Sequence, residues 1–159
     1  MAKNIPVMLV AVDESEHSFY ALEWTLDHFF APNVSHSFKL HVIHARPSPA
    51  SLLGMGGIGS GEFVTILETD LKRTATRTIE KAKAICRDKS VDNVSMEIVE
   101  GDPRNVLCDA VERNRAPILV LGSHGYGVVK RAVLGSVSDY CAHHAHCTVM
   151  IVKRPKLKH

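Results

Sequence analysis

The stretch LGSHGYGVVKRAVLGSVS, from Leu121 to Ser138, holds four of the ten glycines of this chain. Glycines at this density let backbone amides come close to a ligand, and phosphate is the usual ligand of such segments. The stretch lacks the Gly-x4-Gly-Lys-Ser/Thr pattern of a P-loop, and Lys130 stands where a dinucleotide fingerprint needs its third glycine. Both common types of phosphate loop are therefore excluded.

Two separate glycine points remain, Gly122-x2-Gly125 and Gly135-Ser136. Gly122 follows an apolar run, where a missing side chain lets a ligand or the next turn approach the backbone, and Gly125 can take a positive φ. Gly135 precedes a predicted helix, whose free amides, together with the hydroxyls of Ser136 and Ser138, could bind an anion. The residues between the two points could arch around a triphosphate. Ordinary turns and a capped helix would use the same residue types, and that alternative stays open.

Alternating apolar strands and amphipathic helices must position these glycines. Strands are predicted at residues 6–12, 38–45, 94–100, 116–123 and 147–152, and helices at 15–30, 62–89, 103–114 and 136–145. This order predicts an α/β fold with a single open five-stranded parallel sheet and helices on both faces. Residues 46–62, rich in proline, glycine and serine, are expected to form a mobile loop.

In such a sheet, ligands bind beyond the carboxyl ends of the strands, where the strand order reverses. Asp13 follows the first strand, His44 ends the second and Gly122 ends the fourth. We expect the carboxylate of Asp13 to contact a ligand or a metal. Asp102 could pair with it around magnesium, but we expect Asp102 to cap the helix that begins at Pro103.

Several short motifs together resemble the universal stress protein family. These are the Gly122-x2-Gly125-x9-Gly135-Ser136 spacing, VAVDES and LHVIHA in the first two strands, GDP before the third helix, and VLGSHG in the fourth strand. The resemblance runs over residues 5–153 and is to the ATP-binding, plant-like, single-domain type. It implies a Rossmann-like sheet with strand order 3-2-1-4-5 and a homodimer that pairs through the last strand, TVMIV.

The resemblance also implies the ligand and the residues that hold it. The ligand would be ATP, with AMP or ADP as alternatives, and Mg2+ would be bound through the phosphates. Asp13 would contact the ribose or adenine, and Val42 would pair its backbone with the adenine. The remaining positions are Ala11 and Val12 lining the pocket, Leu121, Gly122, Ser123 and Gly125 along the ribose and phosphate path, and Gly135, Ser136, Val137 and Ser138 on the phosphates.

Two functional interpretations follow. The first is a stress-response protein that acts as a nucleotide-responsive signalling or protective module. The alternative is a chaperone-like or scaffold protein that acts through homo-oligomerisation, with nucleotide regulatory or dispensable. We predict no catalytic residues, because no general base is placed for the γ-phosphate and the P-loop lysine is missing. Any ATP hydrolysis is therefore expected to be slow or dependent on a partner.

Composition sets the remaining expectations. The 159 residues, 45% of them hydrophobic, predict one domain over residues 1–159, with a core at 5–153 and a basic tail at 153–159. A net charge of +2 does not indicate a nucleic-acid partner, and no apolar run approaches the ~20 residues of a membrane span. The first apolar run ends at Asp13 without a cleavage-like segment, so it is interpreted as a strand and not as a signal peptide.

The cysteines and histidines near the end of the chain raise the question of a metal site. The four cysteines lack CxxC spacing, which predicts reduced, mostly buried thiols in a cytoplasmic protein, with the nucleus as an alternative. In CAHHAHC, residues 141–147, a helix would divide the ligands between two faces, so no zinc site is predicted. The four cysteines are Cys86, Cys108, Cys141 and Cys147.

Overall fold

Strands and helices alternate in the predicted order, with one additional short helix. The computed structural model describes residues 4–32, 35, 37–53, 61–124 and 134–155. The strands are β1 (Val7–Ala11), β2 (Lys39–Arg46), β3 (Val94–Glu100), β4 (Ile118–Gly122) and β5 (Thr148–Val152). The helices are α1 (Glu16–Phe29), α2 (Pro49–Leu53), α3 (Gly61–Asp88), α4 (Pro103–Asn114) and α5 (Ser136–His144).

The five strands form one parallel sheet in the order β3-β2-β1-β4-β5. The predicted fold class and strand order are therefore confirmed. The chain builds outward from β1 to β3 and then returns to place β4 on the other side of β1. The reversal puts the switch point between the carboxyl ends of β1 and β4, where Val10 lies opposite Val42 on one side and Val120 on the other.

The apolar strands are buried on both faces of the sheet, as their unbroken hydrophobic runs predict. Met8 and Val10 face a core that includes Leu22 of α1 and Ala82 of α3. Leu9 faces the opposite core, which α4 and α5 complete. Burying a side chain of this size contributes roughly 1.5–3 kcal/mol, so both faces of β1 help to hold the central strand in place.

One local prediction was wrong in part. The segment predicted as a loop after β2 contains α2, which begins after Ser48, whose hydroxyl accepts a hydrogen bond from the amide of Ser51 at 3.2 Å. In α3, Val64, Leu67 and Leu71 are half-buried, and the first buried residue of this helix is Ala75. Within the described chain, no helix is both long enough and apolar enough to cross a membrane.

The four cysteines are free thiols, as predicted. Cys86 and Cys141 are buried, whereas Cys108 and Cys147 are half-buried. Burial raises the pKa of Cys86 to about 11 and that of Cys141 to about 12. These two thiols are thus protonated at neutral pH and behave as small apolar side chains of the core.

Candidate functional site

The carboxyl end of β4 lies directly against the first turn of α1. A Cβ added to Gly122 would come within 2.7 Å of the carbonyl carbon and oxygen of His17 and 3.0 Å of the amide nitrogen of Ser18. Real Cβ atoms do not approach backbone so closely, so only glycine fits here. The sequence predicted that a ligand or another part of the chain comes close to Gly122. In the structure, the backbone of α1 makes this close approach.

The turn between β1 and α1 is held by side chains on both sides. The amide of Val12 donates to the carbonyl of Ile43 at 2.9 Å, and Nδ1 of the buried His44 donates to the Val12 carbonyl at 2.9 Å. The carboxylate of Asp13 accepts from the amide of Ser15 at 2.8 Å and from the Ser15 hydroxyl. These hydrogen bonds hold the backbone at the carboxyl end of β1 in place.

Ser15 and Ser18 extend this network into α1. The Ser15 hydroxyl caps the helix by accepting from the amide of Ser18 at 3.2 Å. The Ser18 hydroxyl in turn binds the Asp13 carbonyl at 3.0 Å. Sequence reasoning did not select Ser15, Ser18 or the imidazole of His44, although the Asp-x-Ser and Ser-x-x-Ser spacings after β1 are typical of a turn followed by a capped helix.

The two glycine points of the sequence meet in the fold. The amide of Gly135 donates to the carbonyl of Ser123 at 2.7 Å, which links the end of β4 to the start of α5. The buried hydroxyl of Ser138 lies 3.1 Å from the Ser123 carbonyl and 3.1 Å from the Gly135 carbonyl. Its single proton is directed at protein acceptors. Ser138 thus fastens α5 to β4, and a phosphate contact by this residue would use its backbone amide.

Among the described residues, no side chain caps the N-terminus of α5. Its N-cap residue is Gly135, which has φ −68° and ψ 161° and makes no side-chain hydrogen bond. The amides of Ser136, Val137 and Ser138 head the helix, and Ser136 is exposed. Uncapped amides and the positive end of the helix dipole together favour an anion. The donor set at this position fits a phosphate group.

The other predicted site residues lie in different settings. Ala11, Val12 and Leu121 are buried at the carboxyl ends of β1 and β4. Val42 is fully buried in the middle of β2, opposite Val10 and Met96, so the structure does not bring its side chain to this edge. Its backbone contact with adenine stays a prediction. Gly125 lies outside the described residues.

Asp102 caps α4, as predicted. Its side chain accepts from the amide of Arg104 at 2.9 Å, and Pro103 occupies the start of the helix. A hydrogen bond from Arg104 is the largest cause that holds the pKa of Asp102 below its ordinary value, although burial opposes it. This carboxylate is engaged with the first turn of its own helix.

The histidines and cysteines of residues 141–147 are dispersed around the end of α5. Nδ1 of His143 and Nδ1 of His144 bond to carbonyls of the same helix at 2.8 and 2.9 Å. His146 pairs with Glu112 at 2.6 Å, and Cys141 is buried in the core. Within the described part of the chain, no group of three or more side chains is arranged to hold a metal ion.

The similarity of this chain to known proteins identifies its family. The model of the universal stress protein family matches residues 5–153 of the chain. The chain belongs to this family. It is 30% identical over 161 residues to Universal stress protein PHOS32 of Arabidopsis thaliana, a match that covers 92% of this chain and 64% of that protein. The chain thus spans less than two thirds of that relative's length.

Solved universal stress proteins share the fold. UspA from Lactobacillus plantarum superposes with a TM-score of 0.75 at 21% identity, over 95% of this chain and 99% of that one. A family member from Arabidopsis thaliana, solved with AMP bound, gives a TM-score of 0.66 at 28% identity, over 94% of this chain and 92% of that one. The sequence motifs that resembled this family therefore pointed to the correct relatives.

Proposed function

We propose that this protein binds an adenine nucleotide at the carboxyl edge of β1 and β4, with the phosphates on the N-terminus of α5. The uncapped first turn of α5 carries the proposal, because it leaves donors at the switch point of the sheet, where ligands of such folds bind. The AMP-bound relative of 28% identity supports adenine as the base.

The proposed contacts divide along the nucleotide. Asp13, with the strand ends at Ala11 and Val12 and the backbone of Val42, would hold the nucleoside. Leu121, Gly122, Ser123 and Gly125 would line the ribose and phosphate path. The phosphates would accept hydrogen bonds from the amides of Ser136, Val137 and Ser138. The amide of Gly135 would join them only when it does not donate to the carbonyl of Ser123. Mg2+ would accompany a triphosphate through the phosphate oxygens and not through a protein cluster of its own.

The protein acts, in this proposal, as a binding module of the stress response and not as an efficient hydrolase. Asp13 is the carboxylate beside the edge, and one of its oxygens already accepts from Ser15. This bond fixes the turn, while the proposed contact of Asp13 is with the ribose or adenine. We propose ATP as the nucleotide, with AMP and ADP as competitors, and a signalling or protective output that depends on which of them is bound.

The test begins with the protein as purified from cells. Native mass spectrometry, followed by analysis of the ligand released on denaturation, is expected to give an adenine nucleotide. Calorimetric titration of nucleotide-free protein with AMP, ADP and ATP-Mg then ranks the three by dissociation constant. No released nucleotide, together with no heat of binding at millimolar concentrations of each, would contradict the proposal.

A second candidate function is assembly through β5. This strand lies at the edge of the sheet and pairs with β4 along one side, and Val149, Met150 and Ile151 are half-buried. Such an edge can pair with the same strand of a second copy, which gives a chaperone-like or scaffold homodimer.

Backbone direction supplies a selective variant for this candidate. The amide of Thr148 donates to the carbonyl of Pro117, so by alternation the amide of Ile151 points away from β4. Ile151→Pro would block pairing at the free edge without removing a hydrogen bond to β4. Light scattering is expected to give twice 17.5 kDa for the wild type and 17.5 kDa for the variant. A monomeric wild type would exclude this candidate.

A further inference from the structure

Two histidines with unpaired ring nitrogens lie in contact beside the proposed phosphate site. The ring centroids of His17 and His124 are 5.2 Å apart, and the ring planes meet at 71°. Nδ1 of each ring is buried and has no hydrogen-bond partner within the described part of the chain. Buried polar atoms nearly always have a hydrogen-bond partner. Two buried ring nitrogens without one, in imidazoles that touch, therefore indicate that a ligand or a proton binds there in another state of the protein.

The position of the pair links it to the phosphate-binding elements. His17 is in the first turn of α1, where its backbone faces Gly122 at the end of β4. His124 follows Ser123, the residue whose carbonyl accepts from the amide of Gly135. The carbonyl of His124 also accepts from the hydroxyl of Ser15 at 3.4 Å. The two imidazoles therefore connect the start of α1 with the segment that holds the start of α5.

The surroundings of His17 disfavour the charged form of its imidazole. Burial is the largest cause that lowers the pKa of His17, followed by the charges of His124 and Arg154. Asp13 and Glu16 act in the opposite direction but do not outweigh them. Arg154 is itself paired with Glu16. An added anion near this cluster would change the balance toward the charged imidazole.

We propose that the His17–His124 pair is the proton-linked part of the nucleotide site, in which occupation by a polyphosphate charges one of the two imidazoles. This inference rests on the proposed nucleotide binding. Because the bound state holds the proton more tightly than the free state, binding takes up a proton, and affinity rises as the pH falls between the two pKa values. A triphosphate carries more negative charge than a monophosphate, so the effect is larger for ATP than for AMP.

The test is calorimetric titration with ATP and with AMP at pH 6, 7 and 8, in two buffers of different ionisation enthalpy. The double variant His17→Gln/His124→Gln removes the pair, and His28→Gln, at the other end of α1, is the matched control. The ratio of the ATP affinity at pH 6 to that at pH 8 is expected to be about 3- to 10-fold larger for the wild type than for the double variant. Uptake of one proton changes affinity by at most about tenfold per pH unit. The comparison also cancels the titration of the nucleotide itself.

Each outcome decides a different statement. A pH dependence that is the same in the wild type and the double variant would overturn the proton linkage and leave nucleotide binding intact. No binding at any pH would remove the proposed function and this inference together. If the double variant does not fold, NMR titration of the imidazole resonances in the wild type replaces it. A midpoint raised by ATP is the expected result, and an unchanged midpoint would overturn the inference.

Discussion

The N-termini of α4 and α5 have the same helical geometry but differ in what satisfies their amides. At α4, Asp102 accepts from the amide of Arg104, and Pro103 removes one donor altogether. At α5, Gly135 offers no side chain, and the following amides head the helix without a cap from the described residues. The first end is closed by its own sequence, whereas the described residues leave the second without a cap, which suits the proposed phosphate site.

This difference shows how to separate a structural helix start from a binding one. Capping by Asp, Ser, Thr or Asn stabilises a helix by about 1 kcal/mol relative to Ala, and α1 and α4 both use it. Gly at the α5 N-cap forgoes a side-chain acceptor at the switch point of the sheet. The local stability lost there is the expected cost of keeping donors available for a ligand.

The largest predicted effect is a loss of stability at Gly122, in the first of the two glycine points. Gly122→Val would drive a side chain into the backbone of His17 and Ser18, so we expect a loss of about 3 kcal/mol in the free energy of unfolding. Urea denaturation measures it, with Gly122→Ala as the smaller step. Stability equal to the wild type in both variants would mean that α1 does not pack against β4 as described. A loss of nucleotide binding in Gly122→Val alone would therefore not identify a ligand contact.

Closing the α5 N-terminus should remove binding without unfolding the protein. The φ of −68° at Gly135 suits any residue, so Gly135→Asp would place a capping carboxylate over the same amides. Competition and charge repulsion are expected to weaken nucleotide binding about 100-fold, while stability changes by a few tenths of a kcal/mol. Gly135→Ala adds a Cβ but no acceptor and is the control. Unaltered affinity in Gly135→Asp would place the phosphates elsewhere.

Ser138 tests the fastening of α5 to β4. Ser138→Ala removes the buried hydroxyl that bonds to the Ser123 and Gly135 carbonyls, and we expect a loss of about 1 kcal/mol in stability. Because the amides remain, nucleotide affinity should fall only a few-fold. Thermal denaturation and calorimetric titration give the two values. An affinity loss as large as that of Gly135→Asp would instead make the hydroxyl itself a phosphate ligand.

The smallest predicted effect is at Asp102, which caps α4, and it depends on pH. Asp102→Ala should cost about 1 kcal/mol in stability, with nucleotide affinity unchanged. Since the folded state lowers the pKa of Asp102 from 3.8, its contribution is complete above that value and is lost as the pH falls through the lower folded pKa. Stability curves of wild type and variant should thus converge in acid. A constant difference down to acid pH would contradict the capping role.

The sheet and its order could be predicted because the signals were local or were carried by family motifs. Apolar runs such as residues 6–12 indicate buried parallel strands, and the Asp102-Pro103 pair indicates a helix start. The short helix α2 was missed because its proline- and serine-rich segment has the composition of a loop. Its start is held by bonds between Ser48 and Ser51, in which the Ser48 hydroxyl accepts from the Ser51 amide and the Ser51 hydroxyl donates to the Ser48 carbonyl.

The site was only partly predictable, because several of its properties arise from contacts between distant segments. The sequence indicated that Gly122 needs close approach, but not that the approaching group is the backbone of His17. It suggested a phosphate role for the Ser138 hydroxyl, but not the bonds of that hydroxyl to the Ser123 and Gly135 carbonyls. No spacing rule would bring the His17 and His124 rings together, because they meet only once α1 packs against β4.

Amide NMR tests the central claim most directly. In a 15N–1H correlation spectrum of the nucleotide-free wild type, titration with ATP-Mg and with AMP should produce the largest shifts at the amides of Ser136, Val137 and Ser138. The amide of Arg104, at the capped end of α4, should remain unshifted. The account would be contradicted if nucleotide bound to the protein while the α5 amides kept their positions, or if the amides of α4 and α5 responded alike.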